Sequence, residues 1–349
     1  MKIVYDADAL DRYLDETEIN LAKHPLLIDD YLEDAIEVDV DAIADGERTV
    51  VAGIMEHVEM AGIHSGDSAC SLPPNSLDHA TIRHIERQTI QLAQELGVIG
   101  LMNIQFAVQE GRVYILEVNP RASRTVPFVS KTIGAPLAKL AMKVMMGNKL
   151  ADLGLTKSPS LSHISIKEAV FPFTKLGVSD VLLGPEMRST GEVMGIDQTF
   201  GWAFAKSQAS AGMPIPLFGV ALLSVKDPDK PATLELARRL HKLGFALQGT
   251  KGTAAYLLEH GLEVVVVNKI KEGRPHIVDF IKNKDIAMVV NTVSGSSSQD
   301  DSAPIRKAAV FGGVPYFTTI QAAQAAVLGI EAMKRSPLQV RSLQEFHRL

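Results

Sequence analysis

Apolar and polar positions alternate through residues 35–44, where Glu37, Asp39 and Asp41 are spaced two apart among Val, Ile and Ala, the pattern of a sheet strand with one wet face. Asp45-Gly46 turns this run into a second one, 49–55, so the pair reads as a hairpin. Alternation returns in Gln105-Phe106-Ala107-Val108 and in Val113-Tyr114-Ile115-Leu116-Glu117-Val118, which are separated by turn residues 109–112 and stopped by Pro120. Between the hairpins the period lengthens. Ile82, Ile85, Thr89, Leu92, Ala93 and Leu96 fall on one helical stripe, Ser76 or Asp78 can cap it, and Gly97 ends it. Residues 126–146 carry helical segments interrupted by Gly134-Ala135-Pro136. At the start, Lys2-Ile3-Val4-Tyr5 is strand-like and an acidic amphipathic helix begins near Asp8.

Residues 151–216 are less regular, and Gly212-Met213-Pro214-Ile215-Pro216 punctuates the chain, which places a domain boundary there. Beyond Leu217 the texture changes to near-continuous β-branched strands (219–225, 245–248, 263–267, 287–291, 316–318) alternating with amphipathic helices (231–243, 252–260, 302–311, 320–333). Such a pattern describes a parallel sheet covered on both faces. The fold class is therefore α/β: an α+β lobe with an antiparallel sheet over 1–212, followed by a Rossmann-like parallel α/β domain over 213–349.

Length agrees with this division, since 349 residues exceed what one hydrophobic core usually serves. Hydrophobic residues at 46% and charged residues at 22% describe an ordinary globular protein. No apolar run approaches the ~20 residues of a membrane helix and no signal-like segment follows Met1, so a soluble, cytoplasmic protein without a membrane partner is expected. A single cysteine, Cys70, excludes a disulfide framework and reads as a small buried hydrophobe. The net charge of -6 and aromatic content of 5% give no nucleic-acid footprint. Small anionic ligands must then be held by local sites.

The second hairpin offers one. Gln105, Glu117 and Asn119 can share a face, and Arg121 and Arg124 follow on the exit loop. Hard cations take carboxylate and amide oxygens while arginine pairs with phosphate oxygens, so the group suggests a metal-bound polyphosphate; a solvated hairpin end with two salt bridges is the alternative. Residues 56–74, with His57, Glu59, His64, Ser65, Gly66, Asp67 and Ser68, are dense in polar groups for a loop between strands, a second functional candidate. In the second domain, Leu247-Gln248-Gly249-Thr250-Lys251-Gly252-Thr253 joins a strand to a helix, where backbone N–H groups and threonine hydroxyls can surround a phosphate. Lys269 and Asn291 stand at the ends of later strands, where open parallel sheets bind ligands.

Three motifs then carry a resemblance: His64-Ser65-Gly66-Asp67-Ser68-Ala69, Ile115-Leu116-Glu117-Val118-Asn119-Pro120-Arg121-Ala122-Ser123-Arg124, and Lys167-Glu168-Ala169-Val170-Phe171-Pro172-Phe173. They closely resemble the large subunit of carbamoyl-phosphate synthase, and the chain after Leu217 resembles that family's methylglyoxal-synthase-like regulatory domain. The resemblance covers the whole chain and implies the end of the second ATP-grasp half plus the allosteric domain. It implies a ligase that uses ATP and two Mg²⁺ or Mn²⁺ ions to phosphorylate carbamate, made from bicarbonate and glutamine-derived ammonia, for arginine and pyrimidine biosynthesis. The implied partners are the rest of the large subunit and a glutaminase small subunit, and homo-oligomers are compatible with it.

By the same resemblance, Gln105, Glu117 and Asn119 ligate the ions on ATP, and Arg121 and Arg124 clamp carbamate and the transferring phosphoryl group. Glu37 binds the nucleotide ribose, Leu32 packs near adenine, and His64 sits close to the phosphates, a loop-bracing hydrogen bond being its other reading. Glu59, Asp67 and Glu168, with Tyr316 and Thr318, match the activator site for ornithine. Lys230, Thr250, Thr253, Lys269 and Asn291 match the site for uridine and inosine monophosphates (UMP and IMP). Val293 departs from the family pattern, in which a threonine is common at that position.

The family's subunit is far longer, and the lobe that closes over its ATP site lies upstream, so the 349-residue chain alone is expected to show little or no turnover. The alternative function is a regulatory ligand-binding and oligomerisation module without catalysis. A methylglyoxal synthase is disfavoured, because Ser294-Gly295-Ser296-Ser297-Ser298-Gln299 does not resemble that enzyme's motif.

Overall fold

The computed structural model describes residues 4, 6–16, 26–32, 34–172, 183–293 and 295–348. Apart from Val4, the strand expected over 2–5 lies outside them, as does residue 173 of the third motif. The first seven strands, β1 (Ile36–Asp45), β2 (Thr49–Met60), β3 (Cys70–Leu72), β4 (Ile99–Gln109), β5 (Arg112–Asn119), β6 (Ile164–Val170) and β7 (Gly191–Asp197), form one antiparallel sheet in the order β5-β4-β1-β2-β3-β6-β7. Both expected hairpins are present, and they sit side by side because β1 also pairs with β4.

Val38, Val40, Ala42 and Ala44 of β1 pack with Ile104 and Phe106 of β4 against the helix His79–Glu95, which Asp78 caps by accepting from the Thr81 N–H at 2.7 Å. Ile85 is its fully buried anchor, a side chain whose burial is worth about 2 kcal/mol. The opposite face carries Glu37, Asp39 and Asp41. Alternation predicted that this face would be wet, but all three acids are buried, because the helices Val126–Ile133 and Leu137–Met145 and the 61–69 turn lie on that side. The acidic half of the pattern marks a covered site floor. Cys70 is the buried hydrophobe expected of it.

Residues 151–216, less regular in the sequence pattern, contain β6, β7 and the helix Phe200–Ser210. That helix is wedged between two backbones. A Cβ on Gly195 of β7 would run into the backbone of Ala203 and Ser207, and one on Gly201 into the Leu328 carbonyl of the helix Ile320–Arg335. Only glycine permits either approach.

The remaining strands, β8 (Gly219–Ser224), β9 (Phe245–Thr250), β10 (Val265–Val267), β11 (Met288–Asn291) and β12 (Tyr316–Phe317), form a parallel sheet in the order β10-β9-β8-β11-β12. The order reverses between β8 and β11, which opens a crevice at their carboxyl ends. One apolar cluster joins the two sheets: Ala69, Ile166, Ala203 and Phe204 pack with Leu223, Leu247, Phe317 and Ile320. Packing is therefore continuous across the Gly212–Pro216 punctuation.

Candidate functional site

A cavity of about 610 Å³ opens on the acidic face of the antiparallel sheet, lined by Glu37, Asp39, His64, Asn103, Gln105, Glu117, Asn119, Arg121 and Arg124 among others. Its floor follows from strand register: Gln105 pairs with Glu117, Asn103 with Asn119, and Asp39 with Gln105. A register shift after Gln105 changes the pairing at the point where the polar side chains converge. Asn119 Nδ2 donates to Glu117 Oε1 at 2.7 Å, and Arg121 Nη2 donates to Asn119 Oδ1 at 3.3 Å. Arg124 lies 3.7 Å from Glu192 and against Met187. The sequence-predicted ligands and both arginines are thus brought together.

This donor set fits a divalent cation that shares its ligands. Two amide oxygens and one carboxylate are fewer than the about six oxygens such an ion takes, so phosphate and water oxygens must complete the shell. Glu37 is buried on the cavity wall. Burial holds its carboxyl above the usual carboxylate range, opposed by His57. Leu32 is half-buried in the segment before β1 and does not line the cavity. His64 accepts the Gly66 N–H at Nδ1 (3.0 Å) while facing the cavity, so the loop-bracing bond is present alongside its place at the site.

Sequence reasoning gave no site role to three buried side chains at or behind this wall, Asp39, Asp41 and Lys167. Asp39 Oδ2 lies 3.1 Å from His57 Nε2. Lys167 donates to the Ser65 carbonyl at 2.8 Å, and Ser65 Oγ accepts from Gln105 Nε2 at 2.9 Å, which ties the 61–69 turn across the sheet. Asp41 accepts from Ser123, Thr125 and Asn103; burial pushes its carboxyl up to about 6 even so. The available signal was β2 itself: it runs on to Met60, which makes His57 and Glu59 strand residues with fixed directions.

A second cavity, about 360 Å³, lies where the two sheets meet and is lined by Glu59, Asp67, Glu168, Tyr316 and Thr318, all five residues of the expected diamine site. Burial, then the neighbouring Glu59, push Glu168 up to about 8, and its Oε2 accepts from Gln208 at 2.6 Å. Both oxygens of Asp67 already accept backbone N–H groups, from Arg188 (2.8 Å) and Ser189 (2.9 Å).

The crevice of the parallel sheet forms a third cavity, about 630 Å³, lined by Ser224, Lys226, Thr250, Lys269, Asn291 and Thr292 among others. Thr250, Lys269 and Asn291 meet there. Thr253 is buried behind the wall, accepting from the Val225 N–H at 3.2 Å, and Lys230 pairs with Asp227 at 2.8 Å and stands over the Tyr256 ring.

Residues 1–153 match the family model described as carbamoyl-phosphate synthase L chain, ATP binding domain, and residues 232–318 match the MGS-like domain. Relatives named carbamoyl phosphate synthase large chain are 53% identical over 99% of this chain in Archaeoglobus fulgidus and 50% identical over 99% in Myxococcus xanthus. The chain spans about a third of the length of the curated relatives it matches, 32% of each of these two. Among solved structures, the biotin carboxylase domain of a single-chain bacterial carboxylase aligns with 15% identity and a TM-score of 0.44, over 60% of this chain and 57% of that one.

Proposed function

Because this chain belongs to the carbamoyl phosphate synthase large-chain family, we propose that residues 1–212 are the C-terminal part of a carbamate-phosphorylating ATP-grasp unit and residues 213–349 an allosteric domain. The observation that carries the reading is the convergence of Gln105, Glu117, Asn119, Arg121 and Arg124 on one cavity. In the complete enzyme a carbamate oxygen attacks the γ-phosphorus of ATP in line, ADP departs, and carbamoyl phosphate forms. Gln105, Glu117 and Asn119 would hold the Mg²⁺ or Mn²⁺ ions, which would supply neutralisation of phosphate charge when bound. Arg121 and Arg124 orient the acceptor and the transferring phosphoryl group through charge-assisted hydrogen bonds. Glu37 takes the ribose hydroxyls.

The remainder of the large subunit, a glutaminase small subunit and a cytoplasmic setting complete this reading, with the product feeding arginine and pyrimidine synthesis. Glu59, Glu168 and Thr318 supply carboxylates and a hydroxyl suited to a diammonium amino acid such as ornithine. Thr250, Lys269 and Asn291 suit a nucleoside monophosphate such as UMP or IMP.

Binding of Mn²⁺·ADP, followed through the electron paramagnetic resonance of the metal, tests the first site. Glu117→Ala is expected to weaken it at least about tenfold, the loss of one charged ligand; wild-type affinity in that variant would overturn the assignment. A second reading, a regulatory module alone, is favoured by the crevice of the parallel sheet, which this chain forms by itself. Calorimetry with UMP separates the two: binding that survives Glu117→Ala but not Lys269→Ala belongs to the allosteric domain.

A further inference from the structure

Asp41 lies at the centre of the sheet on β1, is 1% exposed and does not line the first cavity. Its carboxylate is nevertheless directed at the loop that does. Oδ1 accepts from Ser123 Oγ at 2.7 Å and from Asn103 Nδ2 at 3.0 Å, and Oδ2 accepts from Thr125 Oγ1 at 2.6 Å. Ser123 and Thr125 flank Arg124 directly and are themselves 2.8 Å apart at their hydroxyls. Thr125 also occupies the N-cap of the helix Val126–Ile133, yet its side chain makes no capping bond. The hydroxyl that would ordinarily cap the helix is spent on Asp41 instead.

A buried carboxylate is costly unless its oxygens are satisfied, and here two of the three donors belong to one three-residue segment. We propose that Asp41 is the positioning residue for the arginine loop: by holding Ser123 and Thr125 it fixes the backbone from which Arg124 reaches the ligand phosphate, without touching the ligand itself. The inference rests on the reading of Arg124 as a phosphate ligand. Asn103, which pairs in register with Asn119, ties the same carboxylate to the strand pair that carries the metal ligands.

The test measures the affinity of the full chain for Mn²⁺ with a non-hydrolysable ATP analogue that keeps the γ-phosphoryl group, for Asp41→Asn, Thr125→Val, Thr125→Ser and Arg124→Ala, and for Asp41→Asn combined with Arg124→Ala. Asp41→Asn and Thr125→Val are expected to weaken binding about tenfold, within the range of a lost charge-assisted hydrogen bond. Thr125→Ser, which keeps the hydroxyl, should bind within about twofold of wild type. In the Arg124→Ala background, Asp41→Asn should have no further effect, because it acts only through that side chain. A residue with a merely structural role would weaken the double variant further, and that result overturns the proposal. So does wild-type affinity in Thr125→Val, the variant that serves if Asp41→Asn does not fold. Unchanged binding in Arg124→Ala would instead overturn the reading of the arginine itself.

Discussion

Tyr316 donates its phenol proton to Asn291 Oδ1 across 2.6 Å, and the bond joins the walls of two cavities. Asn291 belongs to the crevice with Thr250 and Lys269, while Tyr316 lines the acidic cavity with Glu59 and Glu168. The amide has little freedom, because its Nδ2 is held by the Ser224 carbonyl at 2.9 Å. A ligand that moves Tyr316 therefore moves a buried group of the other site. Tyr316→Phe should remove this communication. In wild type, saturating ornithine is expected to change the calorimetric affinity for UMP by about fivefold or more, the lower range of allosteric couplings. The ratio should fall close to unity in Tyr316→Phe. An unchanged ratio would show that the bond carries no coupling.

Glu168 makes stability depend on pH. Its folded carboxyl is pushed up to about 8, by burial first and Glu59 second, from an ordinary value of 4.5. Between these values the folded protein holds a proton that the unfolded chain has released, so the contribution is fully present below about 4.5 and is lost as pH rises through about 8. Thermal unfolding should accordingly show a midpoint that falls by several degrees, about 5 °C, from pH 6 to pH 8.5. Glu168→Gln, which stays neutral and keeps an acceptor for Gln208, should flatten that slope. A slope equal to wild type in this variant would place the linkage elsewhere.

The same group should release a proton when a dication binds. At pH 7 the Glu168 carboxyl is mainly protonated, and an ammonium entering the cavity beside Glu59 and Glu168 favours the charged form. Ornithine titrations in buffers of different ionisation enthalpy should therefore give different apparent heats, corresponding to close to one proton released per site. The buffer dependence should vanish in Glu168→Gln. Buffer-independent heats in wild type would mean that Glu168 is already ionised before the ligand arrives.

The helix that Asp78 caps was legible because it buries one face and exposes the other, which writes a period into the sequence; the hairpins showed as alternation of residue type, and the parallel sheet as near-continuous apolar runs because both its faces are covered. The helix Phe200–Ser210 was not, since Gly201, Ala203, Phe204, Ala205 and Ser207 are buried against both β7 and the helix Ile320–Arg335, leaving no polar stripe. On β6, Lys167 and Glu168 look like solvated neighbours and are both buried, one bonded to the Ser65 carbonyl and the other to Gln208. Asp39 and Asp41 were misjudged for the same reason. Their face is covered by segments distant in sequence, among them Ser65, Ser123 and Thr125, which a local pattern cannot register. The expectation of metal and phosphate binding was readable in Gln105, Glu117, Asn119 and Arg121 as residue types; the individual roles proposed for them come from the resemblance.

The C-terminal segment acts as a strap across the joined domains. Trp202 Nε1 donates to Ser336 Oγ at 2.8 Å and Lys206 donates to the Gln339 carbonyl at 2.7 Å, which lays the segment along the helix Phe200–Ser210. A capping box between Ser342 and Glu345 then forms the short helix Leu343–Phe346 and presents Phe346 and His347. Phe346 is 2% exposed, with its ring 5.7 Å from that of His163, and His347 Nε2 donates to the Lys131 carbonyl at 2.7 Å, 216 residues away. Lys131 and Thr132, whose carbonyl accepts from His163 Nε2 at 3.0 Å, lie in the last turn of the helix Val126–Ile133, whose other end follows Arg124. Phe346→Ala should cost about 3 kcal/mol, the low end for a buried phenylalanine because its site borders polar groups, seen as a lower urea midpoint. If the strap holds that helix, amide hydrogen exchange in residues 126–133 should accelerate in this variant under conditions where the protein stays folded. Unchanged exchange there, beside a reduced midpoint, would confine Phe346 to packing against the helix Phe200–Ser210 and separate the tail from the arginine loop.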